Sequence, residues 1–182
     1  MTSASRFRIP ERLETERLVL RMFVEDDWRA LHEHYSDAEC TRFTFRRALT
    51  EAATWRALAS MAGHWQLRGY GPYALEEKST KAVLGTVGLW YPVEWPEPEI
   101  KWALARRHWG NGYASEAVRA VQQMARECVP DLSLISLIDS RNAASIKLAL
   151  TVGAALEREL EFAGSPFHIY RHPMDNEKGN TE

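Results

Sequence analysis

The chain is poor in cysteine, in long apolar runs and in net charge. Its two cysteines, Cys40 and Cys128, have no metal-type spacing, so they predict reduced thiols rather than a disulfide framework or a metal site. No stretch approaches the roughly 18 uninterrupted apolar residues of a membrane-spanning helix. A formal net charge of -2 lacks the basic excess that is typical of nucleic-acid-binding domains. We therefore expect no metal, no membrane and no nucleic acid as partners.

The first sixteen residues mix charges with isolated apolar side chains. They lack the continuous apolar segment of a secretory signal, so we expect a cytoplasmic protein. A length of 182 residues suits a single core, and a charged fraction of 26% is typical of folded soluble domains. The expectation is one domain over residues 1–182, with a frayed polar tail from about residue 175.

Hydrophobic periodicity predicts an α/β chain. Asp26 and Asp27 are expected to supply the N-cap and first-turn carboxylates of the first helix. Thr50 is expected to cap the second helix, and Gly69 to end it. The predicted helices are 26–36, 50–68, 113–128 and 143–152, and the predicted strands are 16–23, 71–77, 83–91, 99–105, 132–138, 155–162 and 167–172.

The richest segment chemically is 107–117, with the sequence RHWGNGYASEA, between a strand and an amphipathic helix. Gly110 and Gly112 allow a sharp turn and a close backbone approach to a ligand. The helix that follows presents unpaired N–H groups and the positive end of its dipole, which suits phosphate. A plain turn is the alternative interpretation of such a short glycine pair.

A dinucleotide-binding Rossmann unit has a similar order of elements. Here Ser115 occupies the place of its third glycine, and Arg107 precedes the turn. Too little chain follows Asp139 to complete a doubly wound sheet. These departures disfavour a Rossmann fold.

Residues 107–112 match RxxGxG, the pyrophosphate-binding signature of the GNAT acetyltransferases. The longer run WGNGYASEA resembles the branch related to ribosomal-protein alpha-amino acetyltransferases. The resemblance extends from residue 15 to about 171, through the ERLVLR strand, the Glu-Ile strand before the loop, and Asn142-Ala143-Ala144-Ser145 followed by Gly153. It implies the GNAT fold, a mixed and mostly antiparallel central sheet flanked by helices and splayed near Gly110. It also implies direct transfer of acetyl from acetyl-CoA to a primary amine in a ternary complex.

The resemblance also assigns the binding residues. Asn142 is in addition a good N-cap by residue type alone, and the two roles are compatible. The residues implied to bind acetyl-CoA are Leu104 and Ala105 through their main chains, Arg107, Gly110, Asn111, Gly112, Tyr113 and Ala114 around the pyrophosphate, and Asn142 and Ser145 beside the pantetheine arm.

Glu99 matches the Glu-Ile position of the related enzymes and is the candidate general base. The alternative is an exposed ion pair with Lys101, two residues along the same strand face. Many GNAT proteins use a tyrosine as general acid, but the helix 143–152 has none. Ser145 is the candidate proton donor, and release as a thiolate with water nearby is the alternative.

The sequence leaves the acceptor open between the α-amine of a protein or peptide and a small-molecule amine, since function belongs to the site rather than the fold. A non-catalytic acyl-CoA-binding or sensing module is the alternative function. Homodimers are common in the family, and the sequence does not show whether this chain forms one.

Overall fold

The computed structural model describes residues 7–174, which form one eight-stranded sheet and five α-helices. The strands are β1 (Arg12–Glu14), β2 (Leu18–Arg21), β3 (Pro72–Glu77), β4 (Val83–Trp90), β5 (Glu99–Leu104), β6 (Ile135–Asp139), β7 (Ala155–Phe162) and β8 (Ser165–Arg171). The helices are α1 (Asp27–Tyr35), α2 (Ala38–Thr41), α3 (Glu51–Arg68), α4 (Tyr113–Cys128) and α5 (Ala143–Thr151). All predicted elements are present, whereas β1 and α2 were not predicted. The predicted frayed tail lies outside the described residues.

The strands lie in the order β1-β2-β3-β4-β5-β6-β8-β7. Every neighbouring pair is antiparallel except β5 and β6, which run parallel and share the single register pair Glu99↔Ile135. A parallel pair needs a crossover, and α4 supplies it. The sheet is therefore mixed and mostly antiparallel, as the resemblance implies. No helix among residues 7–174 is long and apolar enough to span a membrane.

The helix ends follow the local sequence with one exception. The Thr50 side chain caps α3, and Gly69 ends it at φ 76°, a left-handed conformation that glycine adopts without strain. Asp26 occupies the N-cap position of α1 but makes no cap hydrogen bond, so the predicted side-chain cap is wrong. Asp27 instead accepts from the Arg21 guanidinium of β2 at 2.8 Å, which ties α1 to the sheet.

The two faces of the sheet carry different helices. Along β4, Val87 and Leu89 join the core cluster that contains the buried side of α4. Thr86 and Trp90 point to the other face, where Thr86 contacts the Met61 sulfur of α3. Residues that pair across β4 and β5 share a face, so the register assigns each β5 side chain to the α4–α5 face or to the α1–α3 face.

Candidate functional site

A gap opens in the middle of the sheet between β5 and β6. The two strands pair only at Glu99↔Ile135, at the start of each strand. Residues 101–103 remain partly exposed although β5 is the fifth of eight strands. Since consecutive side chains point to opposite faces, the gap is accessible from both sides of the sheet.

The β5 edge of the gap presents backbone amides. The Ala105 amide donates to the Leu84 carbonyl of β4 at 3.0 Å. Successive amides of a strand point to opposite edges, so the amides of Trp102 and Leu104 face the gap. No strand in residues 7–174 pairs with β5 at these two positions on that side. The gap therefore offers donors to an extended ligand.

Side chains replace the missing strand ladder at the closed end of the gap. The Ser136 hydroxyl of β6 donates to the Ile100 carbonyl at 2.7 Å. The Leu137 amide of β6 likewise donates to the Glu99 carboxylate of β5 at 3.2 Å. These two bonds hold the strands together immediately before they diverge.

A buried histidine holds Ser136 in turn. The Gln122 amide nitrogen donates to the Val152 carbonyl at 3.0 Å and to Nδ1 of His172 at 2.9 Å. Nδ1 therefore accepts, and Nε2–H donates to the Ser136 hydroxyl oxygen at 2.9 Å. Burial lowers the pKa of His172 to about 4, so the ring is neutral at pH 7.

The glycine loop ends at an uncapped helix terminus. Gly110 and Gly112 have φ values of 76° and 77°, and Gly112 occupies the N-cap position of α4 without a side-chain cap. A side chain carbon at Gly110 would meet nothing within 4 Å. The first-turn N–H groups of α4 follow this exposed loop, which makes an anion cradle that fits a phosphate group.

Hydrogen bonds between the segment before β2 and α4 hold this loop in place. Arg17 donates to the Asn111 carbonyl at 2.9 Å and to the Glu116 carboxylate at 2.7 Å. The second Glu116 oxygen accepts from the Arg17 amide at 2.9 Å and from the Thr15 hydroxyl at 2.5 Å. The Arg17 guanidinium also lies 4.6 Å from the centre of the Tyr113 ring. Thr15, Arg17 and Glu116, here called the brace, were not predicted as site residues.

The predicted loop residues contribute backbone more than side chains. The Arg107 guanidinium forms an exposed ion pair with Glu33 of α1 at 2.8 Å. The Tyr113 hydroxyl bonds to Glu77 at the end of β3, so its side chain is directed to β3 while its amide stays at the loop. Ala114 lies in the first turn of α4 and presents its amide in the same way.

The two predicted main-chain contacts differ: Leu104 is the last residue of β5, and Ala105 follows it. The Ala105 amide is bonded to β4, and its carbonyl accepts from the His108 amide at 2.9 Å. The Leu104 carbonyl accepts from His34 at 2.9 Å and from the Trp109 indole at 2.8 Å. Only the Leu104 amide faces the gap. His34 and Trp109 hold the end of β5, and neither was predicted as a site residue.

Asn142 and Ser145 lie at the start of α5, on the α4–α5 face. Asn142 Oδ1 accepts from the Ser145 amide at 3.1 Å, which confirms its predicted N-cap role. The Trp102 indole of β5 donates to the Ser145 hydroxyl at 3.3 Å across the gap. Ser145 therefore lies beside the gap with its hydroxyl already engaged by β5.

Glu99 is buried, on the α1–α3 face at the closed end of the gap. Its carboxylate accepts from the Trp95 indole at 3.0 Å and from the Leu137 amide. Burial raises the pKa of Glu99 to about 7 despite these bonds and the nearby charge of Lys101. The alternative of an exposed ion pair with Lys101 is wrong, because Glu99 is 7% exposed and its oxygens bond to Trp95 and Leu137.

Residues 17–155 match the family model of the acetyltransferase (GNAT) domain. The uncharacterized N-acetyltransferase p20 of Bacillus licheniformis is 31% identical over 140 residues, which cover 76% of this chain and 79% of p20. The uncharacterized N-acetyltransferase YoaA of Bacillus subtilis is 28% identical over 149 residues, covering 78% and 81%.

Solved structures share the fold across almost the whole chain. An acetyltransferase from Agrobacterium tumefaciens superposes with a TM-score of 0.80 and 26% identity, covering 95% of this chain and 99% of that one. The ribosomal L7/L12 alpha-N-protein acetyltransferase RimL, solved in complex with coenzyme A, superposes with a TM-score of 0.69 over 90% of this chain and 96% of its own. RimL is 17% identical, so this match concerns the fold.

Proposed function

The chain belongs to the GNAT acetyltransferase family, and from this premise we propose that it transfers acetyl from acetyl-CoA to a primary amine by direct attack in a ternary complex. The observation that carries the proposal is the uncapped N-terminus of α4, presented by an exposed glycine loop. The gap between β5 and β6 gives an extended ligand a path through the sheet.

The donor site combines the loop and the gap. Residues 110–114 would hold the pyrophosphate through backbone N–H groups, as helix N-termini do for phosphate. The amides of Trp102 and Leu104, together with Asn142 at the mouth of α5, would line the pantetheine arm. Acetyl-CoA supplies an activated thioester, so the protein has to position it and to manage charge and protons.

Two groups on β5 fit those tasks. Glu99, with its pKa raised to about 7, would accept the proton of the attacking amine at neutral pH. A gap-facing amide of β5 would stabilise the oxygen that gains negative charge. Ser145 would donate its hydroxyl proton to the leaving sulfur and regain one from water, and release as a thiolate with water nearby is the alternative.

The proposed acceptor is a class of molecule, a peptide amine or a small-molecule amine. RimL and the ribosomal-protein-S5-alanine acetyltransferase of Vibrio fischeri share the fold, and their names support a peptide α-amine. An α-amine loses its proton more readily than a lysine, since its pKa is about 7.7 to 8.0.

Calorimetric titration with acetyl-CoA tests the donor site. We expect Gly112→Val to lose affinity, because a β-branched residue at φ 77° distorts the loop. Gly164→Val is the matched control, since Gly164 has φ 70° in the β7–β8 turn and open space around it. Equal affinity in the two variants, or no binding by the parent protein, would overturn the donor site.

A thiol-release screen against peptide amines, polyamines and aminoglycosides tests turnover. We expect CoA release with one class of amine, and we expect Glu99→Gln to abolish release while acetyl-CoA still binds. Tight binding with no release on any amine would instead support a non-catalytic acyl-CoA-binding module.

A further inference from the structure

Lys101 places a positive charge on the α1–α3 face of the gap, the face that also holds Glu99. Glu99, Lys101 and Ala103 alternate along β5 onto the α1–α3 face, opposite Trp102, which contacts α5. Residues two apart on a strand lie about 7 Å apart along it, so Lys101 is one step from the candidate base. Gly88 of β4 is the register partner of Lys101, so no side chain of β4 lies directly beside it.

The Lys101 ammonium lacks an ionic partner. Its contacts are the Met61 sulfur at 3.6 Å and the face of the Trp90 ring at 5.0 Å. It forms no ion pair with a carboxylate in residues 7–174, and Glu99 is already bonded to Trp95 and Leu137. A sulfur is a weak acceptor, so these contacts leave the partly exposed ammonium without a full set of hydrogen bonds. Burial accordingly lowers the pKa of Lys101.

The outer part of the same face carries a second cation without an ion pair. Arg46, between α2 and α3, donates to the Ser165 hydroxyl at 2.7 Å and to the Ala163 carbonyl at 3.3 Å, and it pairs with no described carboxylate. It lies close enough to Asp139, at the end of β6, to contribute to the lowered pKa of that carboxyl. Asp139 is already paired with Arg141 at 2.7 Å. Arg46 therefore adds a second positive charge near the end of β6 that no described carboxylate pairs with.

We propose that the acceptor carries an anionic group close to its amine, and that Lys101 binds this anion while the amine faces Glu99. A carboxylate that reaches Lys101 supplies the missing acceptor and counter-charge. Polycationic amines such as polyamines and aminoglycosides are disfavoured by the same charge. This inference rests on the proposed acetyl transfer and narrows its substrate class.

Matched acceptor pairs test the inference through kcat/KM for CoA release. One pair is an α-amino acid and its α-carboxamide, and the other is a peptide that begins with Asp and the same peptide with Asn. The first pair reports a free α-carboxylate, and the second reports an acidic side chain next to a peptide α-amine. We expect the anionic member of at least one pair to be preferred by about tenfold.

The preference should depend on Lys101. Lys101→Met is expected to bring the ratio within a pair close to one, and Lys101→Arg to preserve most of it. Lys81→Met, at an exposed position in the β3–β4 turn, is the control and should leave the ratio unchanged. Titration with acetyl-CoA checks that the Lys101→Met variant keeps its fold and its donor site.

The outcomes separate the two proposals. Turnover with no preference for the anion, or a preference that survives in Lys101→Met, overturns the anion site and leaves acetyl transfer standing. No CoA release from any acceptor overturns the proposed function, and the anion site with it.

Discussion

The brace gives a prediction that separates loop geometry from the rest of the donor site. Arg17→Met removes the bonds from the Arg17 guanidinium to Asn111 and Glu116. The backbone of the glycine loop then loses its hydrogen bond from the Arg17 side chain. We expect the loop to sample other conformations and to bind pyrophosphate more weakly.

The size of the effect follows from the kind of bond. A hydrogen bond to a charged group contributes about 1.5–3 kcal/mol. The Arg17 side chain is 42% exposed, so solvent screening reduces its share. We expect a loss of about 1.4 kcal/mol, which corresponds to about a tenfold rise in the Kd for acetyl-CoA.

Two acetyl donors, acetyl-CoA and S-acetylpantetheine, distinguish this mechanism from general destabilisation. S-acetylpantetheine carries the thioester arm without the pyrophosphate, so its Kd should not change in Arg17→Met. Arg12→Met is the control, because Arg12 also forms a surface ion pair, with Glu14, but does not contact the loop. Glu116→Gln added to Arg17→Met should cost little more than either change alone, since both remove one network. An equal rise in the Kd values of acetyl-CoA and S-acetylpantetheine in Arg17→Met, or no rise in either, would refute the reasoning.

Three further predictions concern pH and the loop after β4. If Glu99 is the base, kcat/KM should rise with pH through about 7, and a parent profile that stays flat from pH 6 to 8 would argue against it. The folded-state pKa of His172, about 4, lies below the ordinary histidine value of 6.5, so the unfolded state binds the extra proton between these values. The contribution of His172 to stability should therefore fall as pH drops from 6.5 towards 4. Urea titrations at pH 7 and pH 5 should show the parent protein losing more stability than His172→Gln over this interval, and an equal change in the two would contradict this account. Glu97→Gln weakens the pairing with Arg171 (2.7 Å) that ties the loop between β4 and β5 to β8, so limited proteolysis should cut residues 91–98 faster; an unchanged cleavage rate would show that the loop is held otherwise.

Local patterns predicted the elements and the glycine loop. A Gly-x-Gly pair followed by an amphipathic helix constrains only neighbouring residues, so residues 110–128 could be predicted from their own sequence. The helix caps at Thr50 and Asn142 are equally local. Asp26 makes no cap because its backbone is helical, at φ -69° and ψ -14°, whereas a capping side chain needs an extended backbone at this position.

The rest of the site depends on contacts that sequence spacing does not encode. Arg17 and Glu116 are 99 positions apart, and each alone looks like an ordinary surface charge. The sequence identified Glu99 by type but not its burial, which depends on where β6 lies beside β5. For the same reason the sequence left an ion pair between Glu99 and Lys101 as an alternative to a catalytic Glu99.

The single register pair between β5 and β6 also bears on how the molecule opens. Backbone pairing in the sheet divides into two ladders, β1 to β5 and β6 to β8, that meet at one seam. Amide protons of the smaller ladder can then exchange with solvent through an opening that leaves the larger one intact. A ligand seated in the gap would contact both ladders and join their opening reactions into one cooperative unit, so slower exchange should spread across the seam and well beyond the residues in contact with it.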